Sequence, residues 1–338
     1  MLSVKRVSSL CMAIILLMFV LSGCGNTQQV DKNKISDQAQ ATSDVYQMPD
    51  RIIIGATDPD GSWYTIAVAM KNVIEKAYPE TRVDIYYGDA TDNLNAINEG
   101  KIDFGITTSE KAVEAVKGKG DFVQTGILNN VCTVMGLWKE QLYMVASADS
   151  QINSLADLKG KTISTGLQQD PTTTFFNNTI KAYGITDADL TENYVVLSDM
   201  QKMFKKGELD LFAFRATQSV ADTILDDVAD KNSIKLLGFS SDIMARLINN
   251  NPGYFKTVIS ASSLEGQTED VITQGDVVLL ACSKDLDQQL VYNVVSTLIK
   301  NSHTLAQSDE DLSYLSKENC SKGLGIGIHN GATLFYKE

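Results

Sequence analysis

RIIIGATDPDGSWYTIAVAMKNVIEKAYPETRVDIYYGDATDNLNAINEGKIDFGIT, residues 51–107, alternates between two hydrophobic periods. Arg51-Ile52-Ile53-Ile54-Gly55 is a short apolar run ending in glycine, and Ala56 to Trp63 is a turn-rich loop. From Tyr64 to Tyr78 the apolar residues Ile66, Val68, Ala69, Val73, Ile74 and Ala77 recur at helical spacing. Arg82 to Tyr87 alternates as a strand, Asp92 to Glu99 reads as a short helix stopped by Gly100, and Ile102 to Thr107 is a third strand. Strand, helix, strand, helix, strand in that order predicts an α/β fold with a parallel sheet and crossover helices.

Further along, Leu142 to Ala146 is another strand. Ser154-Leu155-Ala156-Asp157-Leu158-Lys159-Gly160-Lys161 gives a short helix and a glycine stop before the strand at Thr162-Ile163-Ser164. The pattern then repeats: helix at Phe175 to Tyr183, strand at Tyr194 to Leu197, helix at Met200 to Lys206, strand at Leu209 to Phe214. Val277 to Cys282 is a late apolar strand and Leu286 to Ser302 a long helix. Because the strand–helix module occurs twice, two similar α/β lobes are expected. No short-period repeat marks a solenoid.

The N-terminus reads as an export signal. Lys5 and Arg6 precede an apolar run from Leu10 to Leu21, shorter than the about 20 residues a membrane span needs. Leu21-Ser22-Gly23-Cys24 follows directly and is similar to a bacterial lipobox, which makes residues 1–23 a lipoprotein signal peptide and Cys24 the lipidated residue. Residues 24–48 are polar and aperiodic, a flexible tether. A lipid anchor places the protein outside the cytoplasm, at the cell membrane. Cys11 leaves with the signal. Cys132, Cys282 and Cys320 remain, an odd number that gives no complete disulfide framework; Cys132 and Cys282 lie in apolar strands as small hydrophobes.

With 338 residues, 43% of them hydrophobic, the chain can bury a real core. A net charge of −13 argues against nucleic acid as a partner. Its two histidines, His303 and His329, fit no HExxH pattern, and no paired cysteines stand at zinc spacing, so no metal site or cofactor is expected. Asp58-Pro59-Asp60-Gly61-Ser62 opens like a calcium loop but lacks the later acidic ligands. Neither a Ser/His/Asp arrangement nor paired carboxylates announce an enzyme.

The motif order resembles the TAXI family of TRAP-transporter solute receptors. The matching segments are Ile54-Gly55-Ala56-Thr57 with Gly61-Ser62-Trp63-Tyr64, Asp92-Asn93-Leu94 through Gly105, Ile152 to Lys161, Gly207 to Phe212, Tyr254 with Gly266-Gln267, and Ile328-His329-Asn330-Gly331-Ala332. Together they run from Ile52 to Tyr336. The chain departs from the pattern at Asp58-Pro59-Asp60, at Gln168-Gln169-Asp170-Pro171 and at Arg215. The resemblance implies a two-lobed type II periplasmic-binding-protein fold (a venus flytrap) with interlobe crossing strands. Lobe I would comprise residues 49–140 and 284–338, lobe II residues 147–275, with hinge strands at 141–146 and 276–283. It also implies a monomeric, non-enzymatic receptor that closes on a small carboxylate, either an amino acid such as glutamate or a dicarboxylate, and delivers it to TRAP permease subunits. An ABC importer or a signalling kinase is the alternative partner.

Ligands of open α/β sheets bind beyond the carboxyl ends of strands, at helix N-termini. That rule nominates Thr57, Ser62, Trp63 and Tyr64 after the first strand, Asp89, Ala90 and Thr91 after the second, and Thr107, Thr108 and Ser109 after the third. In lobe II it nominates Thr172, Thr173, Thr174, Arg215 and Tyr254. Arg215 ends the apolar run Leu211-Phe212-Ala213-Phe214, where a guanidinium fork suits a carboxylate.

Overall fold

The computed structural model describes residues 46–59, 61–168, 170–229, 233–264 and 267–338. The signal peptide, the lipidation at Cys24 and the tether up to residue 45 lie outside the described residues. The tether's expected end at residue 48 needs correction, because Met48 is buried and Tyr46 packs against the same core. Apolar side chains dock the chain before its first strand begins.

Ten strands are formed among the described residues: β1 (Arg51–Ala56), β2 (Arg82–Tyr87), β3 (Phe104–Thr108), β4 (Val131–Ser147), β5 (Thr162–Gly166), β6 (Thr191–Tyr194), β7 (Leu211–Ala216), β8 (Ile234–Leu236), β9 (Phe255–Ile259) and β10 (Val271–Ser283). The helices that position the site are α1 (Ser62–Ala77), α2 (Ala90–Asn98), α3 (Ser109–Lys117), α4 (Pro171–Ile180), α5 (Leu197–Lys205), α6 (Gln218–Ala229) and α7 (Ser241–Asn250). Near the C-terminus come α8 (Gln288–Lys300), α9 (Ser302–Ser308) and α10 (Asn330–Lys337). None is long and apolar enough to cross a membrane.

The strand order is β2-β1-β3-β10-β4-β7-β5-β6, with β8 paired to β4 and β9 to β10. Within it the duplication is plain. β1 lies parallel between β2 and β3, and β3 meets β10 antiparallel. β5 lies parallel between β6 and β7, and β7 meets β4 antiparallel. Each half is therefore one βαβαβ unit closed by a long antiparallel strand, and the two long strands are shared. β4 pairs with β10 from Val131 to Gln141 and with β7 from Gln141 to Ala146. β10 pairs with β9 up to Gly275 and with β4 from Gly275 onward. The handover thus falls at Gln141 and Gly275.

The cores divide at the same place. Ile52, Met70, Phe104, Leu137, Val278 and Val294 belong to a cluster of the first half, with Leu94, Ile97 and Phe122 in a second cluster on the other sheet face. Phe175, Leu211 and Met244, with Phe204, Phe212 and Leu225, fill the two faces of the other half. Burial of side chains this large is the main force holding each half together.

Local chemistry sets the helix starts. Asp89 Oδ1 accepts from the amides of Thr91 and Asp92 at 2.8 Å each, and Asp92 accepts back from the Asp89 amide, a capping box that begins α2 two residues before the expected Asp92. Asp170 caps α4, and Pro171 occupies its first turn, so this helix starts before the expected Phe175. α3 stops at Gly118, whose φ of 60° favours glycine. β6 ends at Tyr194, where the sequence pattern would have started it. β4 is far longer than the expected Leu142 to Ala146.

Candidate functional site

The carboxyl ends of β3 and β7 face one another across the junction of the two halves. From the first half, Thr108 Oγ1 accepts from the Lys111 amide and caps α3. This brings Ser109 and Glu110 against the second half. The Ser109 hydroxyl lies 2.6 Å from the Gly253 carbonyl and 2.7 Å from Asp276 Oδ1 on β10. Asn251 Nδ2 donates to the Glu110 carbonyl at 3.2 Å. Gly253 has no room for a side chain: a Cβ there would stand 2.5 Å from the Ser109 carbonyl carbon and oxygen and 2.6 Å from the Glu110 amide nitrogen.

Arg215 projects into this junction from β7, and its side chain is only 6% exposed. Nη1 donates to Glu110 Oε2 at 3.1 Å and lies 3.6 Å from Asp276 Oδ2. The guanidinium sits over two rings, 5.1 Å from the Phe175 centroid and 5.9 Å from that of Tyr254. Its Nε and Nη2 are buried with no hydrogen-bond partner, as is Asp276 Oδ2. Buried donors without partners are costly and rare in folded proteins.

The electrostatics follow from burial. Loss of water pushes the Asp276 carboxyl up to about 7; Glu110 adds to the rise, and Arg215 only partly opposes it. Burial also raises Glu140, which accepts from the Trp138 indole and feels Arg215. Tyr254 is raised well above its ordinary value by burial and then by Glu110, to which its hydroxyl is hydrogen-bonded. Two carboxylates against one guanidinium leave the cluster one negative charge in excess when all three ionise.

Three cavities border the junction. One of about 330 Å³ is lined by Glu110, Phe175, Asn251 and Tyr254 among others. Another, of about 460 Å³, runs between Asp89, Ala90, Thr91 and Lys111 on one side and Gln168, Pro171 and Thr174 on the other. A third, of about 220 Å³, has Thr165, Gly166, Thr172, Phe214 and Arg215 in its wall. In the second cavity Lys111 is held by Asp121 at 2.6 Å and Glu114 at 3.1 Å. Burial works against its charge, but those acids outweigh it and leave its pKa above the ordinary lysine value.

Of the residues nominated from sequence, Asp89, Ala90, Thr91, Thr172, Thr174, Arg215 and Tyr254 line these cavities. Thr107 and Thr173 turn inward instead, Thr107 donating to the Ala90 carbonyl and Thr173 bonding Thr165. Thr108 caps, and Ser109 braces the junction. Thr57, Ser62, Trp63 and Tyr64 line none of the three: Trp63 packs on the first-half core, Tyr64 sits 5.9 Å from the Tyr87 ring, and the Thr57 hydroxyl is buried without a partner. Arg215 lies deep in the junction, its side chain almost wholly buried. Sequence reasoning missed Glu110, Asp276, Glu140 and Gly253. Asp276, an acid directly before the apolar run Val277 to Cys282, was the one visible signal.

His329, part of the C-terminal motif, is structural. Its Nδ1 accepts from the Gly331 amide at 3.1 Å and caps α10, while Nε2 lies 3.0 Å from the Leu286 carbonyl. Among the described residues, no group of three His, Cys, Asp or Glu side chains is disposed to hold a metal ion.

A model of the NMT1-like family matches residues 54–338. Among solved structures, the chain is similar to XAC2383 from Xanthomonas citri bound to ATP, at 11% identity and a TM-score of 0.50, covering 86% of this chain and 95% of that one. It is also similar to the periplasmic aliphatic sulphonate binding protein SsuA from Escherichia coli, at 17% identity and a TM-score of 0.45, covering 85% and 78%. A putative sulfonate-binding SsuA from Methylobacillus flagellatus KT matches at 16% identity and 0.45, covering 79% and 72%. The likeness is one of fold: mixed α/β and two-lobed, of the periplasmic-binding-protein type.

Proposed function

The chain belongs to the NMT1-like family, and we propose that it is an extracytoplasmic solute-binding receptor that closes its two halves on a small carboxylate of the amino-acid class. One observation carries this reading: the buried Arg215 at the junction, with Nε and Nη2 unpartnered. Those two nitrogens form the edge of a guanidinium that takes a carboxylate in bidentate fashion. The companions of Arg215 refine the choice between the two classes. Above about pH 7, where the buried Asp276 ionises, Glu110 and Asp276 together exceed its single charge. A dicarboxylate adds only negative charge to a negative cluster, whereas an amino acid brings an ammonium for those carboxylates together with its own carboxylate.

In this reading the halves, lobe I (49–140 and 284–338) and lobe II (147–275), move about the strands they share. A ligand that touches both halves shifts the equilibrium toward the closed form, which a membrane partner reads. The motif order favours TRAP permease subunits as that partner, and capture of the membrane complex through the full-length, lipid-anchored protein decides between that and an ABC importer. Cys24→Ala would release the protein from the membrane if the lipid holds it there.

Calorimetry tests the ligand class. Protein amino acids are titrated beside the carboxylic acids that lack only the amino group, L-glutamate beside glutarate for example. At least one amino acid should bind, its amine-free partner should bind at least about tenfold weaker, and Arg215→Lys should weaken that amino acid by about tenfold or more. Tighter binding of the amine-free partner returns the reading to a dicarboxylate, and no binding by either class removes the site.

A further inference from the structure

Three described cysteines are buried, and two of them face each other. Cys132 on β4 and Cys282 on β10 are directly opposed in the antiparallel ladder, flanked by the pairs Val131↔Ser283 and Thr133↔Ala281. Opposed residues of an antiparallel pair have Cα atoms about 4.5–5.5 Å apart and side chains on the same face. That spacing lies within the range a disulfide spans, about 4.4–6.8 Å. The two Sγ atoms are 3.7 Å apart, in contact and not bonded. Only rotation of the two side chains separates this arrangement from a covalent link. The third thiol, Cys320, belongs to the same core cluster and has neither partner opposite it in a ladder.

We infer that Cys132 and Cys282 are a disulfide-forming pair that ties the two shared strands together within the first half. The reaction is thiol–disulfide exchange with a low-molecular-weight or protein disulfide as oxidant. One cysteine thiolate attacks the oxidant, forming a mixed disulfide and releasing one oxidant thiol. The other cysteine thiolate attacks that mixed disulfide, forming the Cys132–Cys282 bond and releasing the second oxidant thiol. The two electrons and two protons of the cysteines end on the two thiols of the reduced oxidant. In the folded protein both thiols are shielded, Cys282 fully and Cys132 at 4% exposure. Burial together with its neighbour also raises the Cys282 pKa. The bond therefore forms while β10 docks during folding, and once made it is shielded from reductants. The two positions stand 150 apart in sequence and the whole second half lies between them, so the bond closes a long loop and restricts the unfolded chain strongly.

The test is refolding of the full chain from denaturant in a mixture of oxidised and reduced glutathione. Proteolysis without reduction and mass spectrometry of the fragments follow. The expected result is a fragment carrying Cys132 linked to one carrying Cys282, with Cys320 recovered as a free thiol. The melting temperature should fall by about 5–15 °C when the same sample is refolded under reductant. Recovery of Cys132 and Cys282 as separate free thiols, or linkage of either to another cysteine, overturns the inference. Cys320→Ala serves as the companion variant: the Cys132–Cys282 fragment should persist in it, and its disappearance counts against the pair.

Discussion

Replacing Arg215 with methionine is the most informative single change to this protein. The guanidinium faces two buried carboxylates, Glu110 at 3.1 Å and Asp276 at 3.6 Å. Removing one partner of a buried ion pair costs about 3–5 kcal/mol, because the remaining charge is left uncompensated. Local bonds place the expectation at the lower end. The Tyr254 hydroxyl still serves Glu110, and the Val277 amide, at 2.8 Å, still serves Asp276. The contact with the Phe175 ring is partly kept, since a thioether also packs well on aromatic edges. The expectation is a loss of about 3 kcal/mol at pH 8, measured as a shift of the urea midpoint at unchanged slope. At pH 5 the loss should shrink, because Asp276, whose carboxyl burial raises to about 7, is then protonated and no longer needs a cation. Adding Glu110→Gln to the variant should recover part of the loss at pH 8. A single variant that loses less than about 1 kcal/mol at pH 8 would refute the view that Arg215 compensates these acids.

Asp276 has a pKa raised by burial, so the folded state holds a proton that the unfolded state has released. Its contribution to stability is complete below the ordinary carboxylate value and is lost as pH rises to about 7; the stability of the wild type minus that of Asp276→Asn should decline over that window, and a flat difference contradicts it. His329 behaves in the opposite sense: burial lowers its pKa, so its contribution is complete above the ordinary histidine value and is lost as pH falls below it. Asparagine caps without titrating, so His329→Asn should flatten the loss of stability between about pH 7 and 5, and an unchanged pH profile would dismiss the cap's role. Gly253→Ala drives a methyl group into the backbone of Ser109 and Glu110 and should cost about 1–3 kcal/mol in chemical unfolding, with a cost under about 0.5 kcal/mol showing that the junction yields freely.

The duplicated architecture was legible because each half repeats the same change of hydrophobic period, and period is what sheets and crossover helices impose on a sequence. The length of β4 was not: Lys139-Glu140-Gln141 breaks its apolar run, yet the backbone ladder continues through those residues to the handover at Gln141. Arg215 was visible as a charge ending an apolar strand. Glu110 could not be told from the other acids, since only packing of α3 against Asn251 and Gly253 buries it. The aromatic pair shows the opposite failure. Position after a strand nominated Trp63 and Tyr64, but α1 begins at Ser62 and helical geometry turns Trp63 toward the core.

At Gly253 the main chains of the two halves already meet, with no side chain between them. In a receptor that closes as proposed, rotation toward a tighter grip would be arrested here by backbone, which is far less compliant than side chains. The contact lies beside Asp276 on a shared strand, close to the line about which the halves would swing, so it works on a short lever arm. If the halves close as proposed, a small bump there would translate into a wide gap at the rim, and the angle at full closure would be set by the one residue type that leaves nothing to compress.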